Sequence, residues 1–220
     1  MAKLLLCVVL ISAMAAMAQP CPEVKLQEGP WKGTPLHEAI RRNDAAAAQR
    51  LMTAAALNQR DSFGNTPLVA ALTPAASLEP AGVLSEGKAR ARIQAENTAR
   101  QAIVAALLAK GAAVNEPGAG GSTPLIQLAG WGYSPATDRR LAGQFLRLGA
   151  NVIARDDFGT TALMLAARRG KMDLVELLLS KGADPKAKNC HGETAASLAR
   201  SGGYPAVAQR LATATVAGSQ

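Results

Sequence analysis

A short motif of glycine, threonine, proline and leucine, called the phrase below, occurs five times along this chain of 220 residues. Its first copy, residues 33–39, reads Gly-Thr-Pro-Leu-His-Glu-Ala, and the later copies begin at Gly64, Gly121, Gly159 and Gly192. Self-similarity at a nearly fixed period indicates a repeat protein, because each copy builds one unit that buries its apolar face only against its neighbours. This constraint decides the fold class before composition is considered.

The residues of the phrase suit the start of a helix. A threonine hydroxyl caps the first turn, and proline is tolerated at the next position because its missing N–H is no loss there. The small residue that follows, Ala39 in the first copy, lets neighbouring helices approach closely. A second phrase lies downstream, with a leucine-rich run before Gly111, Gly149 and Gly182. These glycines stand where a helix ends in a left-handed residue.

Residues 31–214 resemble an ankyrin-repeat protein on these two phrases. The resemblance implies an all-α solenoid of about five helix–turn–helix repeats, joined by short β-hairpin fingers. The threonine-to-threonine spacings are 32, 57, 38 and 33 residues, against a family period of about 33. Proline gives way to alanine at positions 162 and 195, and the histidine of the phrase occurs only at His37.

The two long spacings predict insertions between the helices of repeats 2 and 3. The first adds about 24 residues, at about 73–96, and its second half forms a long helix from a cap at Ser85 to Lys110. The second adds about five residues, at about 133–138. Because both fall in the same connection of adjacent repeats, we expect them side by side on one edge.

The phrases divide the chain into a leader, an arm, the repeats and a tail. Trp31 and the proline-rich lead before it cover repeat 1, and a helix from Pro205 gives repeat 5 a polar outer face, as terminal repeats require. The expected segments are a signal peptide 1–18, an N-terminal arm 19–30, repeats at 31–63, 64–120, 121–158, 159–191 and 192–214, and a disordered tail 215–220.

The first eighteen residues have the pattern of a secretory signal. Lys3 gives a positive start, an apolar run follows, and residues 16–18 read Ala-Met-Ala, a small-x-small cleavage pattern. The run is shorter than the roughly 20 residues of a spanning helix, so stable membrane insertion is not expected. Cleavage after Ala18 leaves a net charge of +7 that is dispersed over the chain. We expect export, most plausibly to a bacterial periplasm, and no nucleic-acid partner.

Two cysteines remain after cleavage, Cys21 and Cys190. An even pair in an oxidising compartment suggests a disulfide. The two residues are at opposite ends of the array, however, four packing steps of about 10 Å apart. The arm ahead of Gly33 would have to be almost fully extended, at roughly 3.3 Å per residue. The sequence therefore favours free thiols or an intermolecular bond.

The first candidate binding surface is the edge that carries the insertions. Trp131 and Tyr133 are placed there, and tryptophan, tyrosine and arginine are the residues that most often anchor interfaces. The alternative is that both rings pack the inserted helix onto the array, and the sequence alone slightly favours that alternative.

The second candidate is the concave face that ankyrin-like proteins generally use. Phe63 and Phe158 occupy equivalent finger positions, each one residue before a phrase glycine. Asp61 and Asp156 are equivalent too, and we interpret them as acceptors within the finger turns. Arginine pairs recur near the ends of two first helices: Arg41, Arg42, Arg168 and Arg169.

No catalytic constellation assembles from the sequence. His37 is interpreted as a structural member of the repeat phrase, and Cys190 with His191 offers two metal ligands without a second pair to complete a tetrahedral site. Residues 82–89 resemble a phosphate-binding loop but end in alanine where serine or threonine meets magnesium, and no βαβ unit surrounds them. We expect no metal, no cofactor and no enzymatic activity.

The sequence thus predicts a non-catalytic, monomeric protein–protein interaction module in the periplasm. A scaffold or adaptor for another protein is the leading hypothesis. An immunity protein or inhibitor that neutralises a periplasm-acting toxin or enzyme is the alternative. The identity of the partner does not follow from the residues.

Overall fold

The computed structural model of the chain describes residues 21–22, 31–73 and 86–217, with the backbone alone for 86–93 and 215–217. The predicted signal peptide, most of the arm and the end of the tail lie outside these residues. The loop 74–85 does too, with its cap residue Ser85 and the first half of the phosphate-loop-like segment. Ten helices form within them. In chain order they are α1 Pro35–Arg41, α2 Ala45–Leu51, α3 Pro67–Leu72, α4 Glu86–Ala109, α5 Pro124–Gly130, α6 Pro135–Arg147, α7 Ala162–Arg168, α8 Met172–Ser180, α9 Ala195–Ser201 and α10 Pro205–Ala217.

The repeat threonines cap the odd-numbered helices, as predicted. In each case the hydroxyl accepts the backbone N–H of the residue three positions later. Such a cap satisfies one of the donors that a helix start leaves unpaired. In α9, Ser197 also accepts from the Thr194 N–H, which completes a reciprocal capping box. The five capping residues are Thr34, Thr66, Thr123, Thr161 and Thr194.

Helices pack as two parallel layers, with the odd-numbered first helices in one layer. Successive first helices contact one another along the whole array, and each of the helices α6, α8 and α10 packs on its neighbour in the second layer. In the first four repeats, the leucine after the phrase proline or alanine is almost completely buried between them. A single apolar core therefore runs the length of the solenoid, with each repeat held by its neighbours.

The fingers are short turns closed by backbone hydrogen bonds, such as those from the Asp61 N–H to Asn65 and from the Asp156 N–H to Thr160. Within the described residues the only strand-like pairing is one isolated bridge, Arg155 to Thr161, so the fingers are too short to form a sheet. In each of two fingers an aspartate closes the turn, as predicted. Asp61 Oδ1 accepts from the N–H groups of Phe63 and Asn65, and Asp156 Oδ1 does the same two and four residues on. The aspartate side chains thus add to the backbone hydrogen bonds across each turn.

The helix ends agree with the sequence in one respect and differ in another. Gly111, Gly149 and Gly182 have φ of 85°, 85° and 87°, the left-handed conformation expected after the second helices. The last helix, however, continues to Ala217, so the tail predicted to begin at residue 215 is helical over its first three residues. The three residues are Thr215, Val216 and Ala217, and the two β-branched residues each cost less than about 0.7 kcal/mol relative to alanine in a helix.

A disulfide joins Cys21 to Cys190, and this contradicts the prediction of free thiols or an intermolecular bond. Their Cα atoms are 5.2 Å apart, although 169 residues separate them in sequence. The prediction took 10 Å for every packing step, whereas helix layers pack at 8–10 Å. Four steps at the shorter spacing come to about 32 Å, and the ten residues from Cys21 to Trp31 reach about 36 Å. The arm is therefore long enough.

Candidate functional site

A polar groove of about 400 Å³ lies between α4 and the loop before α6. Gln94, at the end of the first predicted insertion, and Tyr133, in the second, both line it. Beyond the predicted insertions, Arg140 on α6 donates a 3.1 Å hydrogen bond to the side chain of Gln101 on α4. The described ends of the two insertions therefore lie on the same edge of repeats 2 and 3.

Tyr133 and Trp131 have different roles although they are two residues apart. The Tyr133 hydroxyl donates to the carbonyl of Ala71 at 3.0 Å, and its ring packs against the core. Burial raises the pKa of Tyr133 to about 12. This ring packs the insertion onto the array, which was the alternative interpretation. Trp131, in contrast, is 53% exposed, which is unusual for the largest apolar side chain.

A buried ion pair fixes the loop that carries Trp131. Lys171 Nζ lies 3.0 Å from Asp138 Oδ2, and these side chains are 14% and 3% exposed. The same Nζ donates to the carbonyl of Leu128, and Asp138 Oδ1 accepts the N–H of Tyr133 at 2.6 Å. A Cβ at Gly132 would collide with both charged groups. The loop is therefore held against repeat 4 by charge-assisted hydrogen bonds.

An exposed aromatic and cationic surface results at the ends of the first helices of repeats 3 to 5. The Arg169 guanidinium lies 5.4 Å from the centroid of the Trp131 ring, a cation–π distance. Tyr204, 41% exposed, lies with its ring against Gly170, the residue after this arginine. Arg168 is exposed beside them. We call these four residues the rim patch: Trp131, Arg168, Arg169 and Tyr204.

Trp131 and Arg169 occupy the same place in successive repeats, eight residues after the capping threonine. This offset was the available signal for their contact, since equivalent positions in stacked repeats are neighbours. Sequence reasoning placed Trp131 on the inserted edge and Arg169 on the concave face, and so missed that they meet. It also missed Tyr204, although Tyr133 and Tyr204 each lie ten residues after a capping threonine.

A groove of about 320 Å³ lies at the other end of the array, in repeats 1 and 2. Trp31, Arg41 and Phe63 contribute to its lining. The Arg41 guanidinium lies 5.4 Å from the Trp31 ring centroid, and the indole N–H donates to Asp61 Oδ2 at 3.2 Å. Phe63, a candidate of the concave-face hypothesis, thus lines a groove beside an aromatic and cationic pair.

The other predicted binding residues, Arg41, Arg42 and Phe158, make contacts within the chain. Glu38 lies 2.8 Å from Arg41 and 2.7 Å from Arg42 across one helix face. The hydrogen bond from Arg41 is the main reason that the pKa of Glu38 is below its ordinary value. Phe158 is half-buried, and its carbonyl accepts the N–H of Cys190 at 2.9 Å, so its backbone joins two fingers. The structure does not bring Phe63 and Phe158 together in one pocket.

His37 is structural, as predicted from its place in the phrase. Its Nδ1 lies 2.8 Å from the Thr34 hydroxyl and its Nε2 lies 3.0 Å from the carbonyl of Asn65. Burial lowers the pKa of His37 below 6.5, because desolvation disfavours the charged imidazolium. The ring therefore joins the first helix to the next finger in its neutral form.

No helix among the described residues is both long and apolar enough to cross a membrane.

Comparisons with known proteins agree with this architecture. Residues 136–217 match the family model described as ankyrin repeats (3 copies). The chain is 38% identical over 91 residues to human ankyrin repeat domain-containing protein 63, an alignment of 41% of this chain and 24% of that protein. It is 41% identical over 99 residues to zygote-specific protein 3 of Chlamydomonas reinhardtii, covering 44% of this chain and 25% of that protein.

A third relative aligns over a longer stretch. The mouse B-cell lymphoma 3 protein homolog is 34% identical over 127 residues, 57% of this chain and 27% of that protein. The chain thus spans about a quarter of the length of each of these relatives. Ankyrin repeats are in general non-catalytic modules for binding other proteins. The five threonine-capped helix pairs together with these matches show that the chain carries ankyrin repeats and folds as an ankyrin-repeat solenoid.

Proposed function

We propose that this chain is an exported scaffold that holds an acidic partner protein against the rim patch. The observation that carries the proposal is Trp131, an indole that is 53% exposed and yet fixed in place by the 5.4 Å contact with Arg169. A rigid aromatic side chain contributes a large contact area at low entropic cost when a partner covers it.

The charge of the patch indicates what kind of surface fits it. Arg168 and Arg169 are both exposed on the last residue and the C-cap of α7, and the whole chain has a net charge of +8. Arginine beside tryptophan is the composition typical of interface hot spots, and a partner with surface carboxylates meets it with complementary potential. Carboxylates also bind arginine bidentately, which fixes their orientation.

Two features support export. Residues 1–18 have the charge, apolar run and cleavage pattern of a secretory signal. The Cys21–Cys190 disulfide suits an oxidising compartment, because cytosolic thiols are kept reduced. We infer that the mature chain begins at Gln19 and acts in the periplasm.

The binding test compares two substitutions of equally exposed apolar residues in the same repeat. Trp131 and Leu148 are each 53% exposed, and Leu148 is the C-cap residue of α6, outside the rim patch. The tagged protein is expressed from the full sequence and used to isolate partners from periplasmic extract. Those partners are identified by mass spectrometry. Binding of each purified partner is then measured by calorimetry. We expect Trp131→Ala to weaken binding about 30-fold, a hot-spot effect of about 2 kcal/mol, and Leu148→Ala to leave it unchanged.

Other outcomes have distinct meanings. Equal affinity of the wild-type chain and Trp131→Ala would show that the rim patch is not the docking site. A loss on Phe63→Ala instead would place the partner in the groove of repeats 1 and 2. A partner whose toxic or enzymatic activity stops on binding would establish an inhibitor rather than a scaffold. Unfolding curves should be superimposable for wild type and Trp131→Ala, because exposed substitutions change stability by less than about 0.5 kcal/mol.

Export is tested separately by cell fractionation and N-terminal sequencing. The proposal expects a periplasmic protein that starts at Gln19. A cytoplasmic protein that keeps Met1 would contradict the localisation and leave the binding test intact.

A further inference from the structure

Three metal-binding side chains converge where the arm meets the last finger. Cys21, Cys190 and His191 place their two Sγ atoms and one imidazole nitrogen within 4.8 Å of one another. The His191 Nδ1 atom lies 3.5 Å from the sulfur of Cys190. The sequence offered only the adjacent pair on the finger, and the arm supplies the third ligand from 169 residues away.

The finger holds its two ligands in a rigid turn. Asn189 Oδ1 accepts the N–H groups of His191 and Glu193, at 3.0 and 2.9 Å, and Asn189 Nδ2 donates to the Glu193 carboxylate. The Cys190 N–H donates to the carbonyl of Phe158, in the preceding finger. The backbone on both sides of the ligands is therefore fixed by contacts that involve neither sulfur, which is how preorganised metal sites are supported.

The disulfide and a metal ion compete for the same sulfur atoms. Thiolates are the ligands that bind zinc and other thiophilic ions, and a disulfide sulfur carries no such charge. Reduction by a dithiol transfers two electrons and two protons to the Cys21–Cys190 bond, giving two thiols and an oxidised dithiol. A divalent ion then displaces both thiol protons. The cystine Cα atoms are 5.2 Å apart, so side-chain rotation alone brings both sulfurs to an ion at about 2.3 Å.

We propose that the reduced chain binds one zinc ion through Cys21, Cys190 and His191, so that the cystine and the metal site are two states of one junction. Three protein ligands leave the fourth tetrahedral position to water, as in open zinc sites. His191 is exposed and free to turn its ring toward the ion. In both states residue 21 stays attached to the last finger, so a reducing environment that contains zinc does not detach the arm.

The test is a zinc titration of the purified chain in both redox states. One sample is left oxidised, and the other is reduced anaerobically with a phosphine, which is then removed. Zinc affinity is measured by competition with a chromophoric chelator. We expect one zinc ion per reduced chain and none per oxidised chain. Zinc should also raise the melting temperature of the reduced chain alone, since a ligand of the folded state stabilises it by mass action.

Variants separate the three ligands from general surface binding. His191→Ala should weaken zinc binding at least tenfold, and Cys190→Ser should abolish it, whereas Asp184→Asn, at a nearby exposed carboxylate, serves as the matched control and should change nothing. Cobalt in place of zinc should give a thiolate charge-transfer band in the reduced wild type that changes in His191→Ala.

Two results would overturn the proposal. Equal zinc binding by the oxidised and reduced wild type would show that the thiolates are not the ligands, and this comparison needs no variant that has to fold. Unchanged zinc affinity and an unchanged cobalt spectrum in His191→Ala would exclude the imidazole.

Discussion

Loss of the Cys21–Cys190 disulfide should destabilise the chain by up to about 2.5 kcal/mol at 25 °C. The perturbation is Cys190→Ser, which keeps a small polar side chain and removes the covalent link. In the loop-closure model, a cross-link between residues 169 apart raises the free energy of the unfolded chain by about 5 kcal/mol. Only part of this amount adds to the free energy of unfolding, because the same link also closes a loop in the folded chain.

The folded-state loop is short. Ten residues lead from Cys21 to Trp31, where repeat 1 begins, and closing a loop of this length costs about 2.7 kcal/mol in the same model. The real cost is higher, because the two ends of the arm lie about four packing steps apart and few conformations of the arm reach that far. The disulfide therefore contributes at most about 2.5 kcal/mol, the difference between the two loops. Contacts that hold the arm independently of the disulfide would move the loss upward, toward 5 kcal/mol.

The assays are urea unfolding and thermal unfolding, both followed by far-UV circular dichroism. For a chain of this size a change of 2.5 kcal/mol lowers the melting temperature by about 5–10 °C, which is easily measured. Cys21→Ser is the internal control, because it removes the same bond from the other end. The two single variants and the double variant should therefore lose the same amount.

Two results would refute this reasoning. Stabilities of the two single variants that differ by more than about 1 kcal/mol would show that the thiols contribute separately from their bond. A double variant in which the single losses add would show the same, since residues that act through one shared bond cannot contribute independently.

Two further stability predictions follow from buried groups. The free energy of unfolding should fall as pH is lowered from about 6.5 to 5, because burial lowers the pKa of folded His37 and the unfolded chain takes up the proton first. Urea titrations should show that His37→Gln is less stable at neutral pH but loses this slope, and an unchanged slope would exclude His37 as its source. Lys171→Met should cost about 3–5 kcal/mol, because it leaves the 3% exposed Asp138 carboxylate unpaired. Adding Asp138→Leu should recover part of that loss in the same assay, and a fully additive loss would show that the two charges are not coupled.

The features that the sequence predicted correctly depend on neighbours within a few residues. A threonine cap, a left-handed glycine and an aspartate that closes a turn each act over two to four positions, so their offsets can be read directly. The same holds for His37, whose partner Thr34 belongs to the same phrase. Ten helices and their order follow from such signals, apart from the extra turn of α10.

The features that were missed depend on where separate segments meet. Trp131 and Tyr133 are two residues apart and chemically similar, and only the orientation of the loop decides which ring is buried. The buried pair of Lys171 and Asp138 fixes that orientation from two different repeats. Likewise the disulfide depends on the spacing of the stacked repeats, where the difference between 8 and 10 Å per step changes the conclusion.

The rim patch, which is the proposed binding surface, and the Cys21–Cys190 disulfide lie on different parts of the solenoid. The two proposals can therefore be tested one at a time. Repeats in such an array contact only their neighbours, so stability is nearly a sum of local terms. The disulfide is a link between residues far apart in the array, and it ends on the finger at Cys190. The rim patch is fixed instead by the ion pair between repeats 3 and 4. Cys190→Ser should therefore lower stability while the affinity of the rim patch stays constant, and Trp131→Ala should do the reverse. A partner that binds less tightly after Cys190→Ser would mean that the arm itself belongs to the docking surface.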